Sequence, residues 1–94
     1  MTVRLAHALL RERRLDGESV YFDGYSGETH YLDGLAGAVM RRVFQSGGVD
    51  LALLHTEFGN SPEHDHGVPI TSRTVDDTIA TLQRLGLIRI DDER

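Results

Sequence analysis

Asp16-Gly17-Glu18-Ser19-Val20-Tyr21-Phe22-Asp23-Gly24-Tyr25-Ser26-Gly27-Glu28-Thr29-His30-Tyr31-Leu32-Asp33-Gly34-Leu35 is the stretch on which the reading of the fold turns. Asp16-Gly17 supplies the positive φ angles of a two-residue hairpin turn, which places a strand on either side of it. In the strand that follows, Val20 and Phe22 face one side and Ser19, Tyr21 and Asp23 the other, so one face is meant for a core. Gly24-Tyr25-Ser26-Gly27 makes a second turn. Residues 28–32, Glu-Thr-His-Tyr-Leu, suit a pleated surface and read as a third strand. The region thus reads as a three-stranded antiparallel meander whose first strand lies in the less regular 5–15 segment. Nothing in the spacing places a fourth strand directly after the third, which leaves that strand as an open edge.

Outward from the meander the period changes. Asp33 can cap a helix opening at Gly34 or Leu35, with Leu35, Ala36, Val39, Met40, Val43 and Phe44 on one stripe and Gly47-Gly48 as terminator. A shorter helix is expected over 49–58, burying Leu51, Leu54 and Phe58, with Asp50 near its positive end. Residues 59–69 hold both prolines and two glycines and read as a loop. Thr71 or Ser72 caps a third helix to Leu85, with Val75, Ile79 and Leu82 on one face. Gly86 ends it, and residues 87–90 leave as a short extended segment. The sum is an α+β chain: a three-stranded antiparallel sheet followed by three helices on one of its faces.

Composition narrows the function classes. Ninety-four residues make one domain, and an apolar fraction of 39% with 27% charged residues suffices for a core of its own. The absence of cysteine removes disulfides, thiolate metal sites and thiol catalysis together, and suits a reducing, cytoplasmic setting. The N-terminal segment lacks the apolar core of a signal peptide, and no run reaches the roughly 20 apolar residues of a membrane helix. Ten basic residues against fifteen acidic ones give a formal charge of −5, which disfavours nucleic acid and anionic lipid as main partners. Arg11, Arg13 and Arg14 cluster, as charges guarding a strand edge do.

Residues in patterns that suit catalysis or metal binding are few. His64 and His66, around Asp65 and after Glu63, form a metal-like tract, but in a proline- and glycine-rich loop rather than on a rigid element. His30 is placed as a general base without a visible partner set. Gly24, Gly27 and Gly34 bracket a strand and are turn residues, not a phosphate loop. Tyr21, Phe22, Tyr25 and Tyr31 lack the basic groove of a single-strand binder, so ordinary sheet packing accounts for them. No catalytic residue, metal ligand or cofactor is assigned.

Val20-Tyr21-Phe22-Asp23, then Ser26-Gly27-Glu28-Thr29-His30-Tyr31-Leu32-Asp33, then Leu35-Ala36 opening a helix, resembles the PqqD-like peptide chaperones, the RiPP recognition elements, and in particular their branch associated with HPr kinase-related proteins. Leu82-Gln83-Arg84-Leu85-Gly86-Leu87-Ile88 is similar to the family's closing helix and Gly-Leu ending, so the likeness spans nearly the whole chain. It rests on order and spacing, and no single motif in it is as specific as a zinc or phosphate signature. Two features depart from the pattern: Asp33 where asparagine is common, and a long 60–69 loop. The resemblance implies a winged-helix-like fold and the capture of a precursor (leader) peptide for a peptide-modifying enzyme. The peptide would add as a strand along Glu28, Thr29, His30, Tyr31 and Leu32, against a groove walled by Val75, Thr78, Ile79 and Leu82 of the third helix; Val75, Ile79 and Leu82 also fit a plain core. Two rivals stand beside this reading. One is a winged-helix nucleic-acid binder, against which the acidic Asp76 and Asp77 weigh. The other is a homodimerising scaffold in which a second copy takes the same edge.

Overall fold

A computed structural model of the chain describes residues 1–16, 18–59, 64–65 and 68–92, the pairs 64–65 and 68–69 by their backbone alone. Its elements follow in the order β1 (Thr2–Leu5), β2 (Leu10–Leu15), β3 (Glu18–Asp23), β4 (Thr29–Leu32), α1 (Gly34–Ser46), β5 (Gly48–Asp50), α2 (Leu51–Phe58), β6 (His64–Asp65), β7 (Val68–Pro69), α3 (Ser72–Arg84) and β8 (Ile88–Asp91). The class is α+β, with three helices and two small three-stranded antiparallel sheets, β2-β3-β4 and β5-β1-β8, among the described residues.

The β2-β3-β4 sheet is the expected meander. Asp16 takes φ 41°, which an aspartate tolerates at a tight turn, while Gly17 lies outside the described residues. The second turn closes by Asp23 N–H donating to Glu28 O and Gly27 N–H to Asp23 O, each at 2.8 Å, with Gly27 at φ 80°. Of the two faces of β3, Tyr21's is the core face. Ser19, Tyr21 and Asp23 are buried, and Val20 and Phe22 point away from the domain. Tyr21 packs among Leu10, Leu32 and the helices, tilted against Phe44 at 5.9 Å between ring centroids.

The second sheet departs from the expectation of a single sheet. β1 is its central strand, pairing Val3 with Val49 on one side and with Ile90 on the other. Val3 is fully buried and Val49 nearly so, each burial stabilising by about 1.5–3 kcal/mol. This pairing holds 48–50 extended, so α2 begins at Leu51 rather than near Val49. Asp50 caps it, accepting from Ala52 N–H at 2.8 Å. The first strand of the meander likewise starts only at Leu10, because residues 2–5 belong to the other sheet. Between α2 and α3 a short pairing joins His64 to Pro69 and Asp65 to Val68.

The helices lie where caps and periodicity place them. Leu35, Val39, Met40 and Val43 of α1 are buried against Val75, Ile79 and Leu82 of α3 and Leu54 of α2. Gly47 ends α1 in the left-handed conformation at φ 74°. Asp33 occupies the α1 N-cap position with extended backbone, its carbonyl accepting from Gly37 N–H at 3.1 Å without a side-chain cap bond. Thr71 does cap α3, in a reciprocal box with Thr74. No helix among the described residues is long and apolar enough to cross a membrane.

Candidate functional site

β4 stands at the edge of its sheet, paired with β3 alone among the described residues, in the register Phe22↔Thr29, Tyr21↔His30, Val20↔Tyr31 and Ser19↔Leu32. Asp23 N–H bonds Glu28 O, and an antiparallel ladder alternates hydrogen-bonded and open pairs. The 21/30 and 19/32 pairs therefore exchange bonds, while the N–H and C=O groups of Thr29 and Tyr31 point away from β3. Their side chains are exposed on the outer face, Tyr31 at 67%. His30 and Leu32 turn inward. His30 Nε2 sits 3.5 Å from Glu28 Oε2.

The two edges of this sheet differ in chemistry. β2 reads Leu-Arg-Glu-Arg-Arg-Leu, and such charges discourage the approach of another strand. β4 reads Thr-His-Tyr-Leu and carries no carboxylate, lysine or arginine. Of two geometrically open edges, only one is chemically undefended.

Of the helix positions named with this edge, Val75, Ile79 and Leu82 are core residues, at most 3% exposed, and cannot wall a surface groove. Thr78 does line one. It joins Ala36, Thr74, Asp77 and Thr81 around a depression of about 230 Å³ between α3 and the first turn of α1, the helix that follows β4. The Thr78 hydroxyl donates to Thr74 O at 2.9 Å and that of Thr81 to Asp77 O at 3.0 Å. With both hydroxyls turned back onto their own helix, the threonines offer methyl groups to the groove, whose one charge is Asp77.

Polar groups beneath the sheet hold the meander in place. Tyr21 donates from its hydroxyl to Glu12 Oε2 at 2.5 Å. Burial first, then the hydrogen bond and the charge of Glu12, push the Tyr21 hydroxyl well above the ordinary phenol range. Asp23 Oδ1 accepts from Tyr25 N–H at 2.8 Å and Ser26 N–H at 3.2 Å and lies 3.0 Å from His7 Nε2. Burial acts to raise the Asp23 carboxyl, but the neighbouring His7 imidazole and the two backbone donors outweigh it and hold it below the ordinary carboxylate value.

Elsewhere, Ser72 Oγ lies 2.7 Å from His55 Nδ1, and His55 Nε2 lies 2.8 Å from Asp76 Oδ1. Spacing gave no sign of this chain, because His55 comes from α2 and its partners from the first turns of α3. Asp76 is 61% exposed, so water screens the pair, and the arrangement fastens α2 to α3. The aromatic group separates: Tyr21 is core, Tyr25 projects from the second turn, and Phe22 and Tyr31 share the outer sheet face with Arg11 and Arg13. Glu63 and His66 of the metal-like tract lie outside the described residues, as do the side chains of His64 and Asp65. Among the described residues no group of three or more histidines and carboxylates could hold a metal ion. Comparison with family models, curated proteins and solved structures finds no match for this chain.

Proposed function

We propose that this chain is a peptide-binding module, of the kind its sequence resembles, that captures an extended precursor peptide along β4 and presents it to a modifying enzyme. One observation carries the reading: β4 is an uncharged open edge, with the backbone groups of Thr29 and Tyr31 turned outward, on a sheet whose other edge is defended by arginines. Strand addition draws affinity from such main-chain groups and selectivity from nearby side-chain pockets. The methyl-rich depression at Ala36, Thr78 and Thr81 suits a small apolar anchor. A winged-helix-like arrangement of the remainder is supported by the sheet order β5-β1-β8 and its three helices, with β5 between α1 and α2 and β8 directly after α3. Nucleic acid is the poorer partner for that arrangement, since α3 sets Asp76 and Asp77 beside Arg73.

The test is to select twelve-residue peptides from a random library on the full chain and titrate the survivors against it and against a Thr78→Arg variant. Peptides that add to β4 should protect the Thr29 and Tyr31 amides from exchange and bind Thr78→Arg at least roughly ten-fold more weakly, about 1.4 kcal/mol. Thr78 is half-buried at the groove, so the arginine obstructs it without opening a cavity in the core. Selected peptides that leave both amides unprotected and bind the folded variant with full affinity would move the site off this edge.

A further inference from the structure

Period-two alternation separates the three arginines of β2. Arg11 and Arg13 lie on the outer face, whereas Arg14 sits in an inner row with Ser19 and Leu32 across the end of the sheet. Opposite that row, α1 presents Gly37, Ala38 and Arg41, and the two elements enclose a cleft of about 160 Å³. Two cations thus converge on one small cleft from different elements, in a chain whose formal charge is −5.

Arg41 is the informative member. Its Nε and Nη2 are both buried and have no hydrogen-bond partner. A buried donor left without an acceptor is destabilising, and more so when the group is charged. A guanidinium cannot escape that cost by losing its proton, so native proteins pair it. Asp33 also borders the cleft, and its one carboxylate against two guanidinium groups leaves the lining with a net positive charge. Ser19 adds a hydroxyl to the lining, and Gly37 lets α1 approach the Leu32 carbonyl, which a Cβ at that position would meet at 3.1 Å.

We propose that Arg14 and Arg41 form an oxyanion site that takes a single phosphate or carboxylate group. The fork of a guanidinium matches two oxygens of either group, and the occupant supplies the acceptors that Nε and Nη2 of Arg41 lack. The proposal is independent of strand addition at β4. A free small anion and an anionic side chain of a bound peptide share the same chemistry, and the experiment separates them.

The full chain, labelled with ¹⁵N, is titrated with inorganic phosphate and with acetate at constant ionic strength made up with chloride, following the arginine Nε–H signals. The Arg14 and Arg41 signals should move together and saturate, while that of Arg11, on the opposite face of the same strand, stays still. Arg14→Gln and Arg41→Gln should each weaken binding at least roughly ten-fold. Phosphate should raise the melting temperature of the wild-type protein and not that of Arg41→Gln. A short peptide bearing one phosphoserine that binds more tightly than inorganic phosphate, with its unphosphorylated form inert, identifies a peptide-borne group as the natural occupant; equal binding identifies the free anion. Shifts that never saturate, that Arg11 shares equally, or that persist in Arg14→Gln and Arg41→Gln would overturn the site. Should Arg41→Gln fail to fold, Arg14→Gln and Arg41→Lys decide, the lysine keeping the charge and losing the fork.

Discussion

Replacing His30 by proline and, separately, Tyr31 by proline tests the orientation of β4 without any ligand. Proline removes one backbone donor in each case, and the ladder makes the two donors unequal. His30 N–H belongs to the bonded pair with Tyr21, and Tyr21 is fully buried, so His30→Pro strands a carbonyl that water cannot reach. The lost ladder bond costs about 1 kcal/mol and the orphaned acceptor about 1–3 kcal/mol more, together about 2–4 kcal/mol. A domain of this size has about 5–15 kcal/mol in all. Tyr31 N–H faces outward into water, so Tyr31→Pro removes only a solvated donor and a cross-strand contact with Val20, about 1 kcal/mol or less. Urea titration reads the contrast directly. With a slope of about 1 kcal/mol per molar, the midpoint should fall by about 2 M or more for His30→Pro and by about 1 M or less for Tyr31→Pro. His30→Ala and Tyr31→Ala subtract the side-chain contributions. If Tyr31→Pro, corrected in this way, destabilises as much as His30→Pro, then Tyr31 N–H bonds β3, the open amides are those of His30 and Leu32, and Thr29 and Tyr31 do not present the open edge.

Two further outcomes concern the inner face of the same sheet. Tyr21→Phe should cost about 1–2 kcal/mol, because the Tyr21 hydroxyl is buried while its acceptor Glu12 regains some water, and calorimetry should show the melting temperature lowered by about 5–15 °C. Since folding raises the Tyr21 value above that of the unfolded chain, its contribution is complete below about pH 10 and lost as pH rises further, so wild type and Tyr21→Phe should converge in stability at strongly alkaline pH; parallel curves would refute the assignment. For Asp23 the sign is opposite: folding lowers its value, so its contribution is present above the unfolded value of 3.8 and lost as pH falls below it. Thermal melts between pH 6 and pH 2 should therefore show a steeper acid loss for the wild-type protein than for Asp23→Asn, and identical slopes would show that the turn at 23–28 does not depend on this carboxylate.

What sequence could convey here depended on how local the deciding interaction is. The meander was legible because Asp16 and the 24–27 turn fix its corners and because strands of four to six residues leave a visible alternation. The helices were legible from Asp50, Thr71, Gly47 and Gly86. The second sheet was not, since β1, β5 and β8 are three or four residues each and Val3 meets Val49 and Ile90 only through the completed fold. A strand so short carries too little periodicity to be told from a loop.

The sites divide along the same line. An open edge can be inferred from what fails to follow a strand, so the residue order alone points to 28–32. A groove wall cannot, because a helical wheel sets Thr78 beside Val75, Ile79 and Leu82 without saying which of them the neighbouring helix covers; α1 covers the apolar three and leaves the threonine. The arginines of β2 show the limit most clearly. In the sequence Arg11, Arg13 and Arg14 are one basic cluster with one explanation, the defence of an edge. Burying Leu10 with Tyr21 and Leu32 fixes the register, and that register turns Arg14 inward toward Arg41, a residue 27 positions further along the chain. A slip of one residue would send Arg11 and Arg13 inward instead and Leu10 out into water, so the same apolar contacts that specify the sheet also specify which of its cations faces the cleft.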